Sequence, residues 1–498
     1  MEQIKIGWSE VSLVPNGRKV NLAGQFYERI TGIVETPITV TAMALECGGE
    51  CAIFCSCDLV STSHHLLNSV RERLSKIKDF PIEQLMINAI HSHTAPDYAR
   101  RADSSTMSGS AIEVLREIVP DIRYEKLVAY EGEDLLSGEE AHAFLADRIT
   151  EAAKKAWENR QDALYAHGFG RAAVGMCRRV CYNDGSALMW GDTDTVSFTE
   201  LEGGNDSGIE LIFTFSPDKK MTGVVANVAC PAQVLEHRSF ISSDYWGKVK
   251  ALLRREYGED LFVLGLCSAA GDQCPRDMIR WVEPETPIND PNIVRNSPTA
   301  RKADPSMFDV SGCAVIGRRI ANEIIYAYES LSNEDYVGVT VLKHKTITVD
   351  MPLRRVTPAE RDAAVQAIES FAKRVRGQNI NFQDNAKMHV HAGVVLRSQL
   401  QEKLDLIPIE VHVIRLGDVV FATNPYELFL DYGNKIRARS RASQTFLVQL
   451  SCGNYGYLPT KKAEQGSHYS AYVSSGTAGH VGGDLLVRTT VEEINKMF

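Results

Sequence analysis

Short apolar runs, roughly 4–8 residues each, alternate with segments of helical period through most of this chain. That alternation constrains the fold more than any other feature. Runs of that length are strand-sized, and the helical segments between them supply crossovers, so the pattern predicts an α/β fold. Ile38–Glu46 and Cys51–Leu59 read as strands around a Cys47-Gly-Gly-Glu50 hairpin turn. Gln84–Ile90, Glu210–Ser216, Met221–Val228, Phe262–Cys267 and Thr445–Leu450 read as further strands, Val337–Val349 as a strand pair, and Ile407–Arg415 with Asp418–Thr423 as a second hairpin. Helices are expected over Leu66–Lys76, Glu139–Asn159, Trp246–Tyr257, Gly312–Leu331, Pro358–Val375 and Tyr426–Ser440. Hairpins and crossovers together imply a mixed β-sheet flanked by helices. Three stretches interrupt the pattern, at about residues 100–137, 281–310 and 355–405. They are expected to be loop excursions over the active-site end of the sheet. No linker divides the chain, so 1–498 is expected to form a single large domain.

Charge narrows the function classes. The net charge is −10, and no basic run appears. Arg254-Arg255 and Arg437/Arg439/Arg441 fall in helical segments of mixed charge. Nucleic acid is therefore not an expected partner. No stretch reaches the roughly 18 consecutive apolar residues of a membrane span, so no membrane insertion is expected. The 11 cysteines are an odd number, scattered through strand-like runs, which is no disulfide framework. The N-terminal MEQIKIGWSEVSLVP carries no apolar signal-peptide core. The expected setting is cytoplasmic and reducing, and a homo-oligomer stays open.

Five polar segments each follow an expected strand. Ile90-His91-Ser92-His93-Thr94 places two imidazoles on one face of a strand end, suited to a metal ligand and an acid-base partner. Ala229-Cys230-Pro231 ends a buried run with a thiol, a good zinc ligand, and Glu236-His237 and Ser242-Ser243-Asp244 follow it. Cys267-Ser-Ala-Ala-Gly-Asp272-Gln-Cys274-Pro is a small-residue turn that offers backbone N–H groups and a thiol. Asn424-Pro425-Tyr426-Glu427 is read as opening a helix with Glu427 in its first turn. Cys452-Gly-Asn454-Tyr455-Gly-Tyr457 turns through glycines with two tyrosines. Singly, each also reads as a cap, a core thiol or a turn. Their common position lifts them, because open α/β sheets bind ligands beyond their strand ends.

In this order the segments resemble the neutral/alkaline, non-lysosomal ceramidase family in its catalytic N-terminal domain. Its THTHSGP is similar to Ile90–Pro96, and its strand ending in AIHP or AVHP is similar to Val228-Ala229-Cys230-Pro231. Its SxDxxGY is similar to Ser242–Gly247, and its NAGDxSPN to Ala269–Arg276. Its VPGE, NxYxxY and NRSP are similar to Asn424–Glu427, Asn454–Tyr457 and Met176–Arg179. The resemblance implies one divalent ion, zinc, on His91, Cys230, Glu427 and Tyr457, with His237 as the alternative to Cys230. It implies a catalytic set of His93, Arg178, Cys274 and Asp272, with Asp244 and Asn454 supporting the ligands. Cys230 stands where the family has a histidine ligand, and Cys274 where it has a serine.

The resulting expectation is a zinc-dependent hydrolase that cleaves an amide or related acyl bond, ester or lactone, with metal-activated water. The expected partner is a small soluble substrate, for which a sugar-derived compound suits the compartment. The alternatives are a metal-free acyl hydrolase or transferase with Cys274 as nucleophile, and a non-catalytic ligand-binding member.

Overall fold

The computed structural model describes residues 1–25, 28–98, 132–280, 309–375 and 382–498, together with residues 114, 117, 118, 123, 124, 379 and 380. Apart from those few positions, the expected excursions over 100–131 and 281–308 lie outside the described residues.

Three larger sheets carry the chain. The first contains β1 (Lys5–Ser12), β2 (Thr39–Cys47), β3 (Glu50–Cys57), β4 (Leu85–Ala89) and β5 (Gln161–Asp162), in the order β4-β3-β2-β1-β5. The second is β6 (Leu164–Arg171), β7 (Gly208–Phe215), β8 (Met221–Val228) and β9 (Phe262–Cys267), in chain order. The third is β10 (Leu342–Pro352), β11 (Leu406–Leu416), β12 (Val419–Thr423) and β13 (Gln444–Val448), again in chain order.

One topology recurs in all three. Three strands run antiparallel, and a helix then carries the chain to a fourth strand parallel to the third. The pairs β3/β4, β8/β9 and β12/β13 are parallel. Their crossovers are α1 (His64–Leu74), α3 (Asp244–Tyr257) and α7 (Leu430–Arg439). Between the first two lies α2 (Gly138–Glu158), and α4 (Asp309–Glu329) packs on α3. The sequence carries no matching repeat, because strand order rather than residue identity is what recurs.

Each element follows from its residues. All eight residues of β7 are buried, as a strand covered on both faces requires. The helix α1 buries Leu66, Leu67, Val70 and Leu74 on one face, and the Ser63 side chain accepts the Leu66 N–H at its start. A capping box of Ser137 and Glu140 opens α2, which buries Ala141, Leu145, Ile149, Ala152 and Ala156 against β1 and β2.

The expected excursion at 355–405 is largely helical. It holds α5 (Pro358–Arg374) and α6 (Phe382–Leu400), which pack on each other. Their shared core takes in Val473, and Arg397 donates to the Gly476 and Thr477 carbonyls at 2.6 and 3.1 Å. The strands β1 and β6 and the helix α8 (His480–Met497) were not anticipated from the sequence. Among the described residues no helix is long and apolar enough to cross a membrane.

Candidate active site

The chain ends of the parallel pairs meet and are laced by backbone hydrogen bonds. Ala232 N–H donates to the Ile90 carbonyl at 3.1 Å, Ser268 to Val228 at 2.9 Å, Gln449 to Cys267 at 3.1 Å and Cys452 to Ile87 at 2.8 Å. Glu427 N–H donates to Gly456 at 3.0 Å, and Arg178 N–H to Asp272 at 2.9 Å. The five polar segments thus surround one place, and each is set there by the strand it ends.

His91 sits at the exit of β4 with φ +68°, left-handed backbone that a non-glycine residue adopts at a cost. Its Nδ1 lies 2.6 Å from the Val60 carbonyl, which only accepts, so Nδ1 carries the proton and Nε2 is bare. That bare nitrogen faces Glu427 Oε2 at 3.4 Å and His93 Nε2 at 3.2 Å. The other nitrogen of His93 lies 3.7 Å from Glu236 Oε2. Burial, joined by the charges of His91, Arg29 and Arg178, pushes the His93 pKa well down, toward a neutral ring. Burial likewise raises the Glu236 carboxyl to about 7. Gly24 covers the His93 ring, and a Cβ there would come within 2.4 Å of Nδ1.

Glu427 does not sit in a helix. Glu427–Leu428 is a two-residue strand paired in parallel with Tyr457–Leu458, and Glu427 is the direct partner of Tyr457. The helix α7 begins only at Leu430, because Asp272 Oδ1 accepts the Leu430 N–H at 2.9 Å and supplies its cap. A short pairing therefore places the expected carboxylate and phenol side by side. Gly271 backs this pair, since a Cβ there would stand 2.3 Å from the Glu427 carbonyl.

Arg178 is 2% exposed and spans the group. One of its NH2 hydrogens reaches the Gly271 carbonyl at 2.9 Å and Tyr457 Oη lies 3.3 Å away, with Glu427 Oε2 at 3.9 Å. Gln233 Oε1 accepts from its other arm at 3.4 Å. Burial opposes the guanidinium charge, but Tyr457 and Glu427 outweigh it and raise the pKa. Burial and the Glu427 charge raise the Tyr457 pKa well above its ordinary value. Trp190 stands between Arg178 and Arg276, whose guanidinium carbons lie 6.0 and 5.6 Å from its ring.

The remaining candidates are placed differently. The buried Cys230 thiol donates to its neighbour's carbonyl, Pro231, at 3.5 Å, and packs among Val228, Ala232 and Tyr245. Burial pushes its pKa far up. His237 is buried in the turn after Gln233. Among the described residues, neither joins His91 and Glu427 in a set of ligating atoms all within 4.8 Å of one another. Cys274 is buried, donates to the Arg276 carbonyl at 3.4 Å, and has its pKa pushed up to about 12 by burial. Asp244 accepts from Leu235 and Tyr245 N–H at 2.8 and 2.7 Å, and Asn454 from Gly456 N–H at 3.0 Å. Asp272 caps α7 as described. The sequence offered Glu236 only as one of the polar groups after Cys230, with no role assigned, and Gln233 not at all.

The groups present fit a metal ion. In a tetrahedral zinc site with bonds of about 2.0–2.1 Å, two N or O ligands stand roughly 3.3–3.4 Å apart. His91 Nε2 and Glu427 Oε2 have that separation, and the Val60 bond leaves the nitrogen's lone pair facing the carboxylate.

No family model and no curated protein matches the chain. Solved structures do. Neutral ceramidase from Pseudomonas aeruginosa superposes with a TM-score of 0.67 at 13% identity, over 100% of this chain and 75% of that one. A ceramidase complexed with C2 gives a TM-score of 0.67 at 12% identity over the same shares. The ceramidase-like α/β fold expected from the motifs is the fold found.

Proposed function

We propose that this chain is a hydrolase of an amide or related acyl bond and works with one divalent ion, zinc by its donor set. The observation that carries the reading is the convergence of His91 Nε2 on Glu427 Oε2 at 3.4 Å, beside Tyr457 and under Arg178. His91, Glu427 and Tyr457 would hold the ion. Bound there, it would supply an acidified water and polarise the acyl carbonyl. The ceramidase structures, enzymes named for an amide lipid, support an acyl bond as the target.

The chain's own residues would do the rest. His93 is the proton-handling group, working through Nε2, with Glu236 behind Nδ1 to orient the ring. Arg178, 3.3 Å from the Tyr457 hydroxyl, lies where negative charge would grow on the carbonyl oxygen. Asp272 and Asp244 hold the backbone that carries these groups. Arg178, Arg276, Gln233 and Trp190 favour a small polar substrate, amide, ester or lactone, over a long acyl chain. We read 1–498 as one catalytic unit acting in the cytoplasm, since the site draws residues from His91 to Tyr457.

The test is turnover of a panel of small N-acyl amides, esters and lactones, with ceramide included, before and after metal removal. Loss with chelator and recovery with zinc is expected. Turnover that ignores chelator but stops on thiol alkylation would replace this reading with the Cys274 nucleophile, which the buried, raised thiol does not favour.

A further inference from the structure

A second group of imidazoles, His344 and His412, lies beside Glu410 and the Cys452 thiol at the start of the loop that carries Tyr457. His344 Nδ1 stands 2.9 Å from the Cys51 carbonyl, so it must donate, and in a neutral ring His344 Nε2 is bare. That nitrogen lies 2.9 Å from His412 Nδ1, which therefore donates to it. Thr346 Oγ1 flanks His412 Nδ1 at 3.2 Å. His412 Nε2 is then bare as well. Yet it faces Glu410 Oε1 at 2.7 Å and Cys452 Sγ at 3.7 Å. A lone pair and a carboxylate oxygen stay that close only with a positive species between them: a third proton on the two rings, or a cation.

We infer that the species is a divalent cation, zinc by its ligand chemistry, held by His412 Nε2, Cys452 Sγ and Glu410. Thiolate, imidazole and carboxylate are zinc's usual donors, and with bonds of about 2.3 Å to sulfur and 2.0–2.1 Å to nitrogen the N···S edge is roughly 3.6 Å. The observed 3.7 Å matches it, while the Glu410 oxygen, at 2.7 Å, moves out by about 0.7 Å to reach the roughly 3.4 Å N···O edge. Among the described residues this is the one set of three such ligands whose donor atoms all lie within 4.8 Å of one another. Its supports are in place. Arg71 grips both Glu410 oxygens at 2.9 and 2.8 Å, and His344 fixes the His412 ring. Binding exchanges one M²⁺ for two protons, one from the thiol and one from Nε2, so the charge of the cluster does not change. His412 and Cys452 are fully buried, and the donors join β11 to the Tyr457 loop, so the ion is a structural clamp rather than a second reaction centre.

The experiment uses the full chain, stripped by chelator, reloaded with zinc or cobalt(II) and desalted. Wild type is expected to retain two ions per chain, and Cys452→Ser and Glu427→Gln one each. The cobalt form is expected to show a thiolate charge-transfer band that survives in Glu427→Gln and Cys230→Ser and vanishes in Cys452→Ser. A Cys452→Ser protein with the wild-type metal count and band overturns the inference. Should that variant not fold, X-ray absorption on zinc-loaded Cys230→Ser decides: a sulfur neighbour at about 2.3 Å supports the site, and its absence overturns it. Should the Glu427 centre hold no ion, wild type and Cys452→Ser each bind one ion fewer, while the thiolate band and the sulfur neighbour are unchanged.

Discussion

The His91 and His412 clusters share a histidine pair, a glutamate and an arginine, and differ in their fifth group, Tyr457 against Cys452, and in where the backbone puts them. His412 and Glu410 are neighbours across one step of a strand, and the contacts they make with each other, His344 and Arg71 are 2.7–2.9 Å. His91 lies beyond β4 on left-handed backbone and Glu427 in a two-residue strand; the His91–Glu427 contact of 3.4 Å and the His93–Glu236 contact of 3.7 Å are longer than well-formed hydrogen bonds. The buried Arg178 Nε has no hydrogen-bond partner there. A long strand holds its groups close enough to grip an ion, whereas short segments laced at a sheet end can hold groups apart for a substrate. The difference separates a clamp from a reaction centre.

The sharpest way to break this comparison is Arg178→Ala. It should lower kcat by about 10²–10³-fold, the range for losing an oxyanion donor, with steady-state kinetics on the best substrate as the check. Unchanged kcat would remove Arg178 from the chemistry. The counterpart in the other cluster is Arg71→Ala, which strips Glu410 of its two donors. Because both side chains are partly exposed, a loss of about 2–3 kcal/mol in urea unfolding is expected, toward the low end for broken ion pairs, with turnover at saturating zinc much less affected. Cys274→Ser should change turnover by less than about tenfold, since a thiol held near 12 is not the nucleophile. A loss beyond about 10³-fold would point to covalent catalysis.

The smallest effect concerns pH. Burial raises the Asp272 carboxyl to about 6, above its unfolded value near 3.8. The folded state therefore holds that proton between about pH 4 and 6. The stability it contributes is fully present below the unfolded value and is lost as pH rises through 6. Asp272→Asn keeps an acceptor for the Leu430 N–H and should flatten that fall by about 1–2 kcal/mol, read from urea unfolding at pH 4.5 and 7.

What the sequence made legible followed its apolar runs. The strands β2, β3, β8 and β9 stand where continuous apolar residues predict them. The strand β1 hides in an alternating KIGWSEVS, and β6 is interrupted by Gly168 and Gly170. The helix α8 opens on paired glycines. Tyr426–Leu430 looked helical because Pro425 reads as a helix opening and Glu427 suits a first turn, yet the partner strand at Tyr457 and the cap from Asp272 decide the conformation there. The first cluster was legible through its HSH segment and strand-end positions. Glu236 entered it only through the fold, by approaching His93. The second cluster obeys the same two-residue spacing, at Glu410 and His412, but its partners come from β10, α1 and a distant loop. Nothing in one dimension unites them.

One measurement reaches the central claim directly: zinc-dependent recovery of acyl-bond hydrolysis by stripped wild type and stripped Glu427→Gln, with metal content followed in the same samples. Wild type should regain turnover as its second ion binds, while Glu427→Gln should take up only the ion at Cys452 and stay inactive. Equal turnover in the two proteins, or turnover in wild type with no metal bound, would contradict the account.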